Sequence, residues 1–287
     1  MNLPVAELLT FFARHGRELP WREKSAGPWG VLVSEVMLQQ TPVSRVLATY
    51  RDWLRRWPTP AALAADSPGE AVRAWGRLGY PRRALRLHAA AVAITQRHDG
   101  RVPRDLGDLL ALPGVGDYTA RAVAAFAFGA RVPVVDTNVR RVVNRLVRGI
   151  DDGGPAGAAD RALLAELLPA DASTAAALSV ALMEFGALVC RASPKCDDCP
   201  VRDRCRWLTA GKPAATVTRR PQAWHGTDRQ VRGRIMAVLR ASPGPVPTAD
   251  LDAVWPVAEQ RRRCLDSLLA DGLAVRRDPD SVALPGG

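Results

Sequence analysis

Two carboxylates and four cysteines carry the chemistry legible in this chain. Glu35 lies in a helical run from Val31 to Gln40, with Val31 and Leu32 one turn before it and Leu38 one turn after. A carboxyl on that apolar face is expected to be desolvated, which raises its pKa and makes it a proton donor near neutrality. The competing reading of Glu35 is a core-edge glutamate paired to an arginine. Asp136 follows Val132-Pro133-Val134-Val135 and precedes a helix whose apolar face is Val139, Val142, Val143 and Leu146. It is expected to cap that helix, whose first amides would keep the carboxylate ionised. A neutral carboxylic acid and a fixed carboxylate are the pair that glycosidic cleavage needs: one protonates the leaving group, the other stabilises a cationic sugar. In DNA the leaving group is a base, which must first be turned out of the stack.

The cysteines run Cys190-x5-Cys196-x2-Cys199-x5-Cys205, so a short loop could wrap one metal centre, while Cys264 stands apart. Four thiolates suit zinc or a [4Fe–4S] cluster, and the spacing by itself leans slightly to zinc. A further motif is Leu112-Pro113-Gly114-Val115-Gly116, between a helix ending near Ala111 and one that Asp117 is expected to cap. Glycines let the backbone turn sharply and approach a ligand, and amides at a helix start attract phosphate. Gly114, Val115 and Gly116 are therefore the expected DNA-backbone contacts of a helix-hairpin-helix clamp, with an ordinary turn between helices as the competing reading.

The elements that hold these residues are helices. Apolar residues recur at helical spacing, as in Leu8, Leu9 and Phe12 or Leu178, Ala181, Leu182 and Phe185, and strand-like alternation is almost absent before residue 270. Residues 209–228 lose that periodicity and read as a linker. Helices near 229–240, 248–254 and 257–271 and a hairpin around Asp278-Pro279-Asp280 then predict a small winged-helix-like module over 229–287. Its basic cluster Arg261-Arg262-Arg263 is expected to contact phosphates.

Forty basic and 29 acidic residues give a net charge of +11, with only Lys24, Lys195 and Lys212 as lysines, which favours a polyanionic partner. No apolar run approaches the ~18 residues of a membrane span, and the first ten residues contain Glu7 and no basic start. A cytoplasmic protein without membrane association is expected, and in that compartment clustered cysteines favour a metal or cluster over disulfides.

Taken together, Leu19-Pro20-Trp21-Arg22, Ser34-Glu35-Val36-Met37-Leu38-Gln39-Gln40-Thr41, Gly79-Tyr80, Leu112 through Ala120 and Val135-Asp136-Thr137-Asn138-Val139 resemble the adenine DNA glycosylase (MutY-type) branch of the endonuclease III, or helix-hairpin-helix, superfamily. The resemblance spans roughly residues 5 to 208. It implies an all-α fold: a six-helix barrel domain over 25–130, beside a second domain made of 1–24 and 131–208 with a [4Fe–4S] cluster on Cys190, Cys196, Cys199 and Cys205. By resemblance Glu35 protonates adenine, Asp136 stabilises the sugar cation, and Tyr118 and Asn138 orient the centre. Arg17, Trp21, Arg22 and Glu184 surround the extruded adenine, while Gln40 and Tyr80 wedge into the duplex around the opposing base. The implied substrate is double-stranded DNA with adenine opposite 8-oxoguanine or guanine, handled by a monomer.

Tyr118 stands where bifunctional relatives carry a Schiff-base lysine, so strand cleavage is not expected. The first cysteine gap is five residues where the family usually has six, Pro81 replaces a frequent second tyrosine, and 79 residues follow Leu208, short for the family's usual 8-oxoguanine-reading domain. Alternatives are a thymine or uracil mismatch glycosylase on the same scaffold, or a non-catalytic metal-containing DNA-binding protein.

Overall fold

The computed structural model describes residues 2–151, 154–215 and 224–286. Residues 216–223 of the expected linker lie outside these. The chain forms two compact units: Met1–Val31 with Arg104–Leu110 and Gly116–Arg220, and Leu32–Pro103 with Ala111–Val115 and Pro221–Gly287. Residues 117–128 thus fall in the first unit and residues 229–286 in the second.

The first unit contains α1 (Val5–His15), α7 (Leu106–Leu110), α8 (Asp117–Phe128), α9 (Thr137–Val143), α10 (Ala158–Leu167), α11 (Ala172–Leu188) and α12 (Arg206–Thr209). A π-helical turn, Asn144–Arg148, extends α9. Leu8, Phe11, Val139, Val142, Leu164, Leu178, Leu182 and Phe185 form its main core, where Phe11 meets Phe185 edge-on at 5.3 Å. Val134, Ala122 and Ala125 make a second cluster against which Tyr118 and Met183 pack, which is why α8 joins this unit. Asp171 starts α11 by accepting from the Thr174 amide at 2.8 Å.

Helix α2 (Gly27–Leu38) begins in the first unit and ends in the second, which holds α3 (Val43–Arg56), α4 (Pro60–Ala64), α5 (Pro68–Trp75), α6 (Arg82–Arg97), α13 (Asp228–Ala241) and α14 (Ala258–Ala270). Trp53, Trp57 and Trp75 fill its core with edge-on contacts at 4.6 and 5.6 Å. Ser67 caps α5 through the Glu70 amide, with Pro68 at its first position.

The module has the expected helices, and its hairpin of β2 (Val275–Asp278) and β3 (Ser281–Ala283) gains a third strand, β1 (Val246–Pro247), in the antiparallel order β1-β3-β2. It docks on α5: Arg73 donates to the carbonyls of Arg240 and Ser242, and Arg240 to that of Val72. A Cβ at Gly69 would stand 2.4 Å from the Pro285 carbonyl oxygen. Within the expected phosphate cluster, Arg261 pairs with Asp252 and Arg263 with Asp228, while Arg262 is exposed and has no ion pair among the described residues. Cys264 is buried in the module core. Among the described residues no helix is long and apolar enough to cross a membrane.

Candidate active site and cysteine loop

Asp136 caps α9: its Oδ1 accepts from the Val139 amide at 2.6 Å and its Oδ2 from Asn138 Nδ2 at 2.9 Å. Asn138 Oδ1 in turn accepts from Arg141 Nη2 at 2.7 Å. The same guanidinium donates to the carbonyls of Gly186 at 2.8 Å and Cys190 at 2.7 Å. A continuous polar chain therefore runs from the carboxylate to the first cysteine. Sequence reasoning missed Arg141, because nothing in its spacing distinguishes it from the neighbouring arginines. Burial pushes the Asp136 carboxyl above its ordinary value, against the Val139 and Asn138 hydrogen bonds and the Arg141 charge. Desolvation is the larger effect, and the Val139 amide and Asn138 work against it.

Gly186 permits this arrangement, since a Cβ there would lie 2.7 Å from Asn138 Cβ and 3.0 Å from its carbonyl oxygen. Gly186→Ala should destabilise the fold by about 1–3 kcal/mol through overpacking and displace the start of α9. Thermal unfolding and single-turnover rates together check this; unchanged values for both would refute it.

Arg17, Arg22 and Glu184 also come together. Glu184 Oε1 accepts from the Arg17 amide at 2.9 Å and Nε at 2.7 Å, and Oε2 from Arg17 Nη2 at 2.9 Å and Arg22 Nη2 at 2.7 Å. The carboxylate, 1% exposed, thereby ties α11 to the segment carrying Trp21, itself buried. Burial opposes its charge, but the Arg17 and Arg22 hydrogen bonds win and hold it at about 2, below the ordinary 4.5. A depressed carboxylate stabilises the fold above the unfolded value and loses that stabilisation as pH falls toward the folded one. Glu184→Gln should therefore cost about 3 kcal/mol at pH 7, and the difference from the native protein should shrink between pH 4.5 and about 2. Denaturant unfolding at pH 7 and pH 3 measures it.

Glu35 is 5% exposed beside the fully buried Ser34, on the part of α2 that belongs to the second unit. Asp136, Asn138 and Tyr118 are in the first. Gln40 and Tyr80 are exposed in the second unit, with positive φ of 53° and 47°. In the glycine motif only Gly114 is left-handed, at φ 76°, and a Cβ there would meet Arg86 Cβ at 2.5 Å. Gly116 is extended at φ −90°, with open space where a Cβ would be. Asp117 is not the cap but the first helical residue, paired to Arg121 and Arg161.

Cys190, Cys196, Cys199 and Cys205 line one pocket with Arg145 and Trp207. Arg145, 1% exposed, donates toward Cys190 Sγ at 3.6 Å, to the Arg191 carbonyl at 2.6 Å and to Asp151 at 2.7 Å, and stacks 4.5 Å from the Trp207 ring. Burial pushes the Cys199 thiol up to about 11. Among the described residues no three metal-binding side chains are grouped tightly enough for a single ion.

Residues 33–166 match the family model described as HhH-GPD superfamily base excision DNA repair protein. An adenine DNA glycosylase of Mycolicibacterium smegmatis is 55% identical over 288 residues, covering 100% of this chain and 97% of the relative. The chain belongs to the HhH-GPD superfamily of base excision DNA repair proteins. Among solved members of this fold, a thermostable thymine-DNA glycosylase superposes with a TM-score of 0.64 at 29% identity, covering 72% of this chain and 95% of that one. An endonuclease III in a non-covalent DNA complex gives 0.62 at 26%, covering 72% and 94%. The HhH-GPD fold accounts for the helical class inferred from periodicity and for the motif at Gly114 to Gly116.

Proposed function

We propose that this chain is a monofunctional adenine DNA glycosylase that hydrolyses the N-glycosidic bond of adenine mispaired with 8-oxoguanine or guanine in duplex DNA. The observation that carries this reading is the end-to-end 55% identity to an adenine DNA glycosylase. The site chemistry agrees with it. Glu35, buried on α2, is the acid that protonates the base, and Asp136, oriented by Asn138 and Arg141, is the carboxylate that stabilises the sugar cation. Tyr118 offers no amine to the sugar, so water takes the base's place and the strand stays intact. Arg17, Arg22 and Glu184 brace Trp21 as one wall for the extruded base. Gly114, Val115 and Gly116 contact the DNA backbone. Thymine or uracil excision is the second reading, and the likeness to a thymine-DNA glycosylase, at 29% identity over 72% of the chain, supports it less.

The test is a single-turnover assay on duplexes with adenine opposite 8-oxoguanine, adenine opposite guanine, and thymine or uracil opposite guanine, each with and without alkaline scission. Adenine release that breaks the strand only after alkali supports the proposal. Thymine or uracil release without adenine release overturns it.

The four cysteines are proposed as ligands of a [4Fe–4S] cluster. An all-sulfur donor set spread around one pocket, with a buried guanidinium beside it, fits an anionic multi-iron group. Such a cluster would fix residues 190–205 as one loop and present a negative charge to Arg145. Anaerobically purified protein should be brown and contain about four irons; stoichiometric zinc without iron would refute the assignment.

A further inference from the structure

Arg83, on the first turn of α6, is 6% exposed. Its Nη1 donates to the carbonyls of Val36 at 2.9 Å, Met37 at 2.9 Å and Gln39 at 2.5 Å. Its Nη2 donates to Thr41 Oγ1 at 2.9 Å and the Gly79 carbonyl at 3.0 Å. The guanidinium lies 5.2 Å from the Trp75 ring centroid and 5.6 Å from that of Tyr80. Nε has no partner among the described residues. Burial, the dominant influence, lowers its pKa to about 10, and the other groups acting on it are Tyr80 and Arg45, neither of them a carboxylate at hand to balance the charge.

A buried cation ordinarily takes a carboxylate partner. Here the carbonyls at the negative end of α2 and two aromatic faces stand in its place. The grip falls on both sides of Gln40, through Gln39 and Thr41, and on Gly79 just before Tyr80. Those are two exposed non-glycine residues with left-handed backbone, a conformation that relaxes unless its surroundings hold it. One side chain therefore holds both strained turns.

We propose that Arg83 is a positioning residue that locks the Gln40 and Tyr80 turns into one unit and thereby sets how the protein discriminates the base opposite the extruded nucleotide. The bases concerned rest on the proposed function; the mechanical link between the turns does not. Lysine keeps the charge but cannot span five acceptors. In the free full-length protein, Arg83→Lys should raise amide exchange at 39–41 and 78–83 together, by tenfold or more. Thr41→Val removes one acceptor and leaves the arginine in place. It should loosen 78–83, on the far side of Arg83, and it carries the test if the lysine variant does not fold. Loosening confined to one turn, or none, overturns the link.

On DNA, Arg83→Lys should change the ratio of adenine excision opposite 8-oxoguanine and opposite guanine severalfold. In a Gln40→Ala, Tyr80→Ala background the same substitution should leave that ratio within about twofold, because the residues through which it acts are gone. An equal change in both backgrounds overturns the role in discrimination. If the native protein releases no adenine, the proposed function fails on its own, and the exchange measurement still decides whether Arg83 couples the turns.

Discussion

Glu35→Gln will bind duplex DNA nearly as the native protein does and release adenine about 10²- to 10⁴-fold more slowly in a single turnover. The amide has the bulk of the acid and no proton to give. Its position makes the effect specific: the side chain sits on α2 at 5% exposure, next to Ser34 at 0%, so water cannot readily replace it as a donor. Gel-shift affinity and excision rate measured on the same preparation separate binding from chemistry. A native-like rate would remove Glu35 from the mechanism.

The second large effect is expected at Asp136. Asparagine is also a good helix cap, so Asp136→Asn should preserve the start of α9 and remove only the charge. Loss of that electrostatic stabilisation should cost about 10²- to 10³-fold in rate. The native enzyme should show the same dependence through pH. Burial raises the Asp136 carboxyl above the ordinary 3.8, so the folded protein holds this proton more tightly than the unfolded chain does. In the role proposed for Asp136 the ionised form acts, and activity should therefore fail on the acid side at a pH above that of an ordinary aspartate. Asn138→Ala removes a hydrogen bond that lowers the value, and should move the acid limb further up. A limb at or below pH 3.8 in the native enzyme would contradict the raised carboxyl.

The helical class, the carboxylate at the start of α9 and the cysteine grouping were legible because each depends on local sequence: periodicity, a capping residue, short spacing. Arg83 and Arg141 were not legible. Each owes its role to carbonyls and amides contributed by distant segments, residues 36–41 and 79 in one case and 186 and 190 in the other. In a chain with so many arginines, residue type alone singles out neither. Gln40 and Tyr80 stand out through family likeness, whereas no local pattern signals their left-handed backbone. In the cluster Arg261-Arg262-Arg263, Arg261 and Arg263 pair with aspartates of their own module, a partnering that adjacency in sequence does not encode.

The docking of the C-terminal module on α5 has a consequence for heredity. Gly69 has no room for a side chain because a Cβ there would run into the Pro285 carbonyl oxygen and Leu284 Cβ, and a Cβ at Gly286 would lie 3.1 Å from both Ser67 Cβ and Pro68 Cδ. Positions 67–69 and 284–286 are thus far apart in the gene and inseparable in the protein. A larger residue at 69 calls for a compensating shift at 284–286. An unrelated segment grafted in place of residues 229–286 would inherit a helix shaped for the one it replaced.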